Sequence, residues 1–124
     1  MRVQNVLAHF DVSDYDKSVE WYGRLLGRKP DRLPMEGCAE WQLADTGGLQ
    51  VYRSDRAVGS TVVIAVDDID DTVAQVNARG IRMKADNEPS GNYRLATIED
   101  SSGNVITFAE EIRKHSPVGT ERRS

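Results

Sequence analysis

The chain has 124 residues, a formal charge of −4 and 39% apolar residues, which suits one domain large enough for a real core. No long block of Lys and Arg interrupts the first 110 or so residues, so no nucleic-acid phosphate footprint is expected. A single cysteine, Cys38, excludes an intramolecular disulfide and any multi-cysteine zinc site.

The opening M-R-V-Q-N-V-L-A-H-F holds too short an apolar run for a signal peptide, and no segment is apolar over the length of a bilayer. The expectation is a cytoplasmic protein that meets no membrane. Residues 3–12 suit a buried strand, with Val6, Ala8, Phe10 and Val12 on one face and Leu7, His9 and Asp11 on the other. Ser13 followed by Asp16 resembles a capping box. Tyr15, Val19, Tyr22, Leu25 and Leu26 then recur at helical spacing, which predicts a helix over 14–26 that Gly27 ends. Pro30 and Pro34 bracket a short irregular edge strand or loop through Met35. Residues 38–44 alternate, with Ala39, Trp41 and Leu43 opposite Cys38, Glu40 and Gln42, and turn through 45–48 into a strand over 49–53.

Residues 54–59 are polar and read as a linker. A β-branched strand over 61–66 follows, then a helix over 68–79 capped by Asp67 and Asp68 and ended by Gly80. Residues 81–86 are expected as a strand, 87–92 as a loop, and 93–99 with 104–110 as a hairpin across Asp100-Ser101-Ser102-Gly103. The polar tail 113–124 lacks periodicity and is expected to be disordered.

The chain also repeats itself. Val12, Asp14, Asp16, Ser18 and Val19 fall on Val66, Asp68, Asp70, Thr72 and Val73 at an offset of 54. Leu43-Ala44-Asp45 before Gly48 matches Ile98-Glu99-Asp100 before Gly103 at an offset of 55. Two signals in one order at nearly one spacing argue for a duplicated unit. The expected fold class is α+β, with one domain over 1–112 built from βαβββ modules at 1–53 and 60–112.

These two modules, the helix ending W-Y-G-R-L-L-G and the hairpin D-S-S-G-N resemble the vicinal oxygen chelate superfamily, the glyoxalase, bleomycin-resistance and dioxygenase group, over residues 3–112. The resemblance implies cup-shaped mixed sheets with the helices on their convex faces. In metal-using members each module gives a ligand from its first strand and another from its last, four residues after the turn glycine. Carried over, these positions are Leu7 and Thr61, then Tyr52 and Thr107. Leucine offers no ligand, and neutral hydroxyls are poor ones, so no metal and no cofactor is expected. A site of unfamiliar register using His9 with Asp11, Glu40 and Gln42 remains the alternative. The plainer reading of His9 is a polar residue in the cup.

The remaining residues divide between packing and the cup. Trp41 reads as core, while Tyr52 is the better pocket aromatic. Trp21 and Tyr22 read as structural, Cys38 as an inert thiol, and the acids at 67–71 as caps that complement a helix dipole. The expected ligand cup comprises Leu7, His9, Glu40, Gln42, Tyr52, Thr61, Leu95, Thr97 and Thr107. Apolar walls with a few polar points suit a small amphipathic or aromatic molecule that is sequestered or sensed. Two enzymatic readings stand beside this one: a metal-dependent lyase, isomerase or thiol transferase with atypical ligands, or a metal-free enzyme with His9 as general base and Glu40 orienting it. Edge strands broken by Pro30 and Pro34 leave backbone groups to cover, so a homodimer is the expected partner state.

Overall fold

Phe10 and Val12 are completely buried while Leu7, His9 and Asp11 are not, and this alternation makes the strand β1, Val6–Val12. The computed structural model describes residues 2–56 and 58–112; the expectation for the tail 113–124 lies outside them. After β1 come α1 (Tyr15–Leu26), β2 (Arg32–Met35), β3 (Cys38–Ala44) and β4 (Gly47–Arg53). The second half runs β5 (Thr61–Ala65), α2 (Ile69–Ala78), β6 (Tyr93–Glu99) and β7 (Val105–Glu111). The first sheet has the order β1-β4-β3-β2 and the second β5-β7-β6. In each, the first strand of the module lies parallel to the last, and the hairpin partner is antiparallel. The α+β class and its mixed sheets stand as expected.

Several boundaries differ for local reasons. β1 begins at Val6 rather than Val3, because its ladder starts where Val6 meets Gly47 of β4. The N-cap of α1 is Asp14, whose carboxylate accepts from the Lys17 N–H at 3.3 Å. Ser13 serves elsewhere: its N–H donates to Ser102 Oγ at 3.1 Å, across the two modules. Gly27 ends α1 in the left-handed region at φ 77°, where a side chain would be strained. Asp68 caps α2 by accepting from Asp71 N–H, and Glu110 accepts from Ile69 N–H.

The expected strand over 81–86 is reduced to one isolated bridge, Ala85 with Ala96. The N–H groups of Ile81 and Met83 donate back to the Val76 carbonyl and the Asn77 side chain, holding this segment on the end of α2. Ile81 and Met83 are buried, so their alternation serves the core instead of a ladder.

One apolar cluster unites the halves. It gathers Phe10 and Val12 of β1, Tyr22 and Leu25 of α1, Ala39 and Trp41 of β3, Ile69 and Val76 of α2, and Ile106 and Phe108 of β7. Both helices and one face of each sheet share this core, so the other face of each sheet turns away from it. Trp41 is wholly buried, as its strand parity requires, and its indole N–H donates to the Arg28 carbonyl at 2.9 Å.

The polar joint lies at the β6–β7 turn. The buried carboxylate of Asp100 accepts from Tyr22 Oη at 2.8 Å and from the N–H groups of Ser102 and Asn104, both at 2.8 Å. Asn104, completely buried, donates from Nδ2 to the Asp11 carbonyl and accepts the Ser60 N–H at 2.7 Å. The linker closes against the turn at Gly59, where a Cβ would stand 2.6 Å from the Gly103 carbonyl oxygen.

Burial first, and then the Asp100 carboxylate, hold the Tyr22 hydroxyl far above its ordinary pKa of 10.0. Its contribution is therefore complete below about pH 10 and is lost as pH rises beyond it, where only the unfolded tyrosine ionises. Tyr22→Phe should cost about 1–3 kcal/mol in urea denaturation at pH 7, because Asp100 loses a donor while staying buried. The variant should also lose less stability than the parent between pH 9 and about pH 11. Parallel stability curves for the two proteins in that range would contradict this account.

Candidate functional site

The face of the first sheet that turns away from the core carries Leu7, His9 and Asp11 of β1, Gly48, Gln50 and Tyr52 of β4, and Cys38, Glu40 and Gln42 of β3. Strand pairing arranges them in three rows: Leu7-Gly48-Gln42, His9-Gln50-Glu40 and Asp11-Tyr52-Cys38. A cavity of about 450 Å³ opens over the last two rows, with Pro34 and Met35 of β2 and Ser54 completing its wall. β2 is held in place from its N-terminal side. Asp31 accepts from Gln42 N–H at 2.7 Å and from the Arg28 guanidinium, and these contacts hold its carboxyl below the usual range.

The middle row is a hydrogen-bonded chain. Gln50 Nε2 donates to Glu40 Oε2 at 2.7 Å, which leaves Gln50 Oε1 facing His9 Nδ1 at 2.6 Å. The opposite amide orientation would set two oxygens against each other at Glu40. His9 Nε2 lies 2.8 Å from Asp11 Oδ1, so both ring nitrogens face acceptors. Tyr52 stands beside His9, ring centroids 5.8 Å apart. Glu40 is buried, and Arg32 approaches its other oxygen at 3.4 Å from the solvent side. Burial, and then Glu40, push the Cys38 thiol up, so this cavity residue is a weak nucleophile at neutral pH.

The second sheet bears a cavity of a different kind. About 640 Å³ is lined by Val63, Ala65, Leu95, Thr107 and Ala109, with Tyr93, Ser90, Asp67 and Glu111 toward its polar side. The two cavities share no lining residue.

The expected single cup is thereby divided. His9, Glu40 and Tyr52 line the first cavity, while Leu95 and Thr107 line the second. Leu7, Gln42, Thr61 and Thr97 line neither. Leu7 lies over Gly48, where a Cβ would come within 2.9 Å of its Cδ2. Gln42 is engaged by Asn5 and the Ala44 carbonyl, and Thr97 Oγ1 lies 3.2 Å from Thr107 Oγ1. Glu40 does not orient His9 directly, because Gln50 stands between them.

Gln50 escaped the sequence reading, and the reason is register. Counting four residues beyond the turn glycine makes Tyr52 the counterpart of Thr107. Pairing gives a different answer: Thr107 lies opposite Val63, two residues after Thr61, whereas Gln50 lies opposite His9, two residues after Leu7. The glycine count fails because the two hairpins differ in length. Ala44 and Gly47 close on Asp45 and Thr46 alone, but Glu99 and Val105 enclose residues 100–104. A polar residue between the buried Leu49 and Val51, on Tyr52's parity, was the available signal.

Under this pairing the ligand positions that the resemblance implies shift from Leu7, Tyr52, Thr61 and Thr107 to Leu7, Gln50, Thr61 and Thr107. They offer an alkyl group, one amide already turned to His9, and two neutral hydroxyls, divided between two sheets. This set does not fit a divalent ion. Among the described residues no group of three or more His, Cys, Asp or Glu stands where it could hold a metal.

The sequence pattern of the Glyoxalase/Bleomycin resistance protein/Dioxygenase superfamily matches residues 6–108. The chain belongs to that superfamily. A glyoxalase/bleomycin resistance protein from Catenulispora acidiphila DSM 44928 superposes with a TM-score of 0.78 at 29% identity, over 86% of this chain and 96% of that one. A bleomycin-binding protein complexed with bleomycin gives a TM-score of 0.68 at 18% identity, over 87% of this chain and 98% of that one. The bleomycin resistance determinant encoded on transposon Tn5 gives 0.69 at 18%, over 86% and 97%. No curated protein matches the chain. Among the described residues no helix is long and apolar enough to cross a membrane.

The relay makes a specific demand on stability. Gln50→Leu should remove the donor from buried Glu40 and cost about 1–3 kcal/mol in urea denaturation. The same substitution in a Glu40→Gln background should cost measurably less, since no carboxylate is then left short of a donor. Equal costs in the two backgrounds would show that the relay is not coupled.

Proposed function

We propose that this superfamily member is a metal-independent binding protein for a small amphipathic or aromatic molecule, acting by sequestration or sensing. The observation that carries this reading is the occupancy of the chemical positions. Leu7, Gln50, Thr61 and Thr107 replace a ligand set, and His9 is engaged at both ring nitrogens. Both nitrogens of His9 are turned to protein acceptors rather than to the open cavity, which favours a binding face over the metal-free enzyme with His9 as general base. The bleomycin-binding relative gives the reading its first probe, bleomycin itself.

Elemental analysis of the purified protein should find no stoichiometric zinc, nickel, manganese or iron, and chelator should leave Tm unchanged, because no metal linkage exists to remove. About one metal per chain, lost together with thermal stability in chelator, would return the metal-dependent lyase, isomerase or transferase to first place.

A homodimer accompanies this reading. Each sheet has two edge strands with one side unpaired, β1 and β2 in one and β5 and β6 in the other, and each carries exposed apolar side chains such as Met35, Val63 and Tyr93. Two-fold association would cover such edges in a closed assembly. Light scattering at tens of micromolar should give twice the chain mass of 13.8 kDa; a monomer mass there would refute it.

A further inference from the structure

We propose that β2 is a strap that gates the first cavity: it opens between two fixed pivots, Asp31 and Gly37, and is latched shut by Arg32 on Glu40. A gate needs a molecule to admit, so this inference rests on the binding reading above. β2 is the least secured strand of the first sheet. All its residues are exposed, Leu33 by 67% and Met35 by 56%, so its burial contributes little. Only Arg32 and Met35 have partners in β3, Glu40 and Cys38, and the register shifts between them. Leu33 and Pro34 thus stand together opposite Ala39, and Pro34 has no N–H to give a ladder. The neighbouring pair, β3 with β4, is joined all along from Cys38 to Ala44.

The two ends are held where the middle is not. At one end the Asp31 N–H donates to the Glu40 carbonyl at 2.8 Å, while its carboxylate accepts from Gln42 N–H and from Arg28. At the other, Gly37 turns the chain at φ 79°, and its carbonyl accepts the Arg53 N–H at 2.8 Å. Between these pivots Pro34 and Met35 form one wall of the first cavity. Arg32 draws that wall toward β3, reaching Glu40 Oε1 at 3.4 Å. Its side chain is 71% exposed, so water competes for the contact and the latch breaks easily. Segments with little buried apolar area and few backbone bonds open locally while the rest of the fold stays closed. Swinging β2 outward would widen the cavity and leave the β3–β4 ladder and the core intact.

Cys38 reports the motion without any ligand. It is the single cysteine of the chain, 3% exposed, and it pairs with Met35 of the strap. Its reaction with 4,4′-dithiodipyridine, followed in urea below the unfolding transition, measures how often the strap opens. The rate should be nearly flat in urea there, since a local opening exposes little new surface. Arg32→Ala should raise it about two- to fivefold with the urea midpoint unchanged. Removing a cation from the cavity edge disfavours a thiolate, so faster reaction would report opening and not activation. Arg82→Ala, exposed and beyond α2, should leave the rate as it is. A rate that climbs with urea in step with global unfolding, or one that Arg32→Ala leaves unchanged, would overturn the strap. Either result leaves the binding reading standing, because that reading is tested separately by titration with bleomycin.

Discussion

Everything in this fold depends on one buried carboxylate, Asp100, and on the asparagine four residues beyond it. Asp100 gathers the Tyr22 hydroxyl from the first module and two N–H groups from its own turn. Asn104 then reaches the β1 carbonyl of Asp11 with one side-chain atom and the Ser60 N–H with the other. A charge held away from water is tolerated only when its lone pairs are occupied, and here the donors come from both halves of the chain. Pulling the modules apart would strand Asp100 and Asn104 together. The joint therefore makes the two repeats one cooperative unit, which neither is large enough to be alone.

That joint fixes the position of the concave faces. Both sheets lay one face on the shared core, and their opposite faces carry two cavities with no lining residue in common. Duplication began with equivalent modules, but the cavities have diverged in character. The first carries a polar chain, Asp11-His9-Gln50-Glu40, across three strands. The corresponding strands of the second carry Val63, Ala65, Leu95, Thr107 and Ala109.

The same comparison separates what holds the shape from what lines the cavities. Ligand positions lie on the concave face, whereas the determinants of the fold lie on the other face and in the turns. Substitutions at Leu7, Thr61 and Thr107 would leave Phe10, Trp41 and Ile106 in the core untouched. Fold and chemistry are carried by opposite parities of the same strands, so one can change while the other is kept.

Local physics is legible in a single sequence, and it settled much of this protein. Parity along the strands put Phe10, Val12 and Trp41 inward and His9, Glu40 and Tyr52 outward, because successive side chains must alternate across a sheet. Helical spacing, acidic caps and Gly27 set α1 to within a residue, since those signals act within one turn. The α+β class was legible in the same element patterns. Tertiary structure decided what depends on remote partners. Hairpin length, differing between the modules, set the register that brought Gln50 rather than Tyr52 opposite His9. Packing on α2 withdrew residues 81–86 from the sheet despite their alternation. Packing placed His9, Glu40 and Tyr52 at one cavity and Leu95 and Thr107 at another. Alternation says which face a side chain takes, but only pairing and packing say what lies across from it.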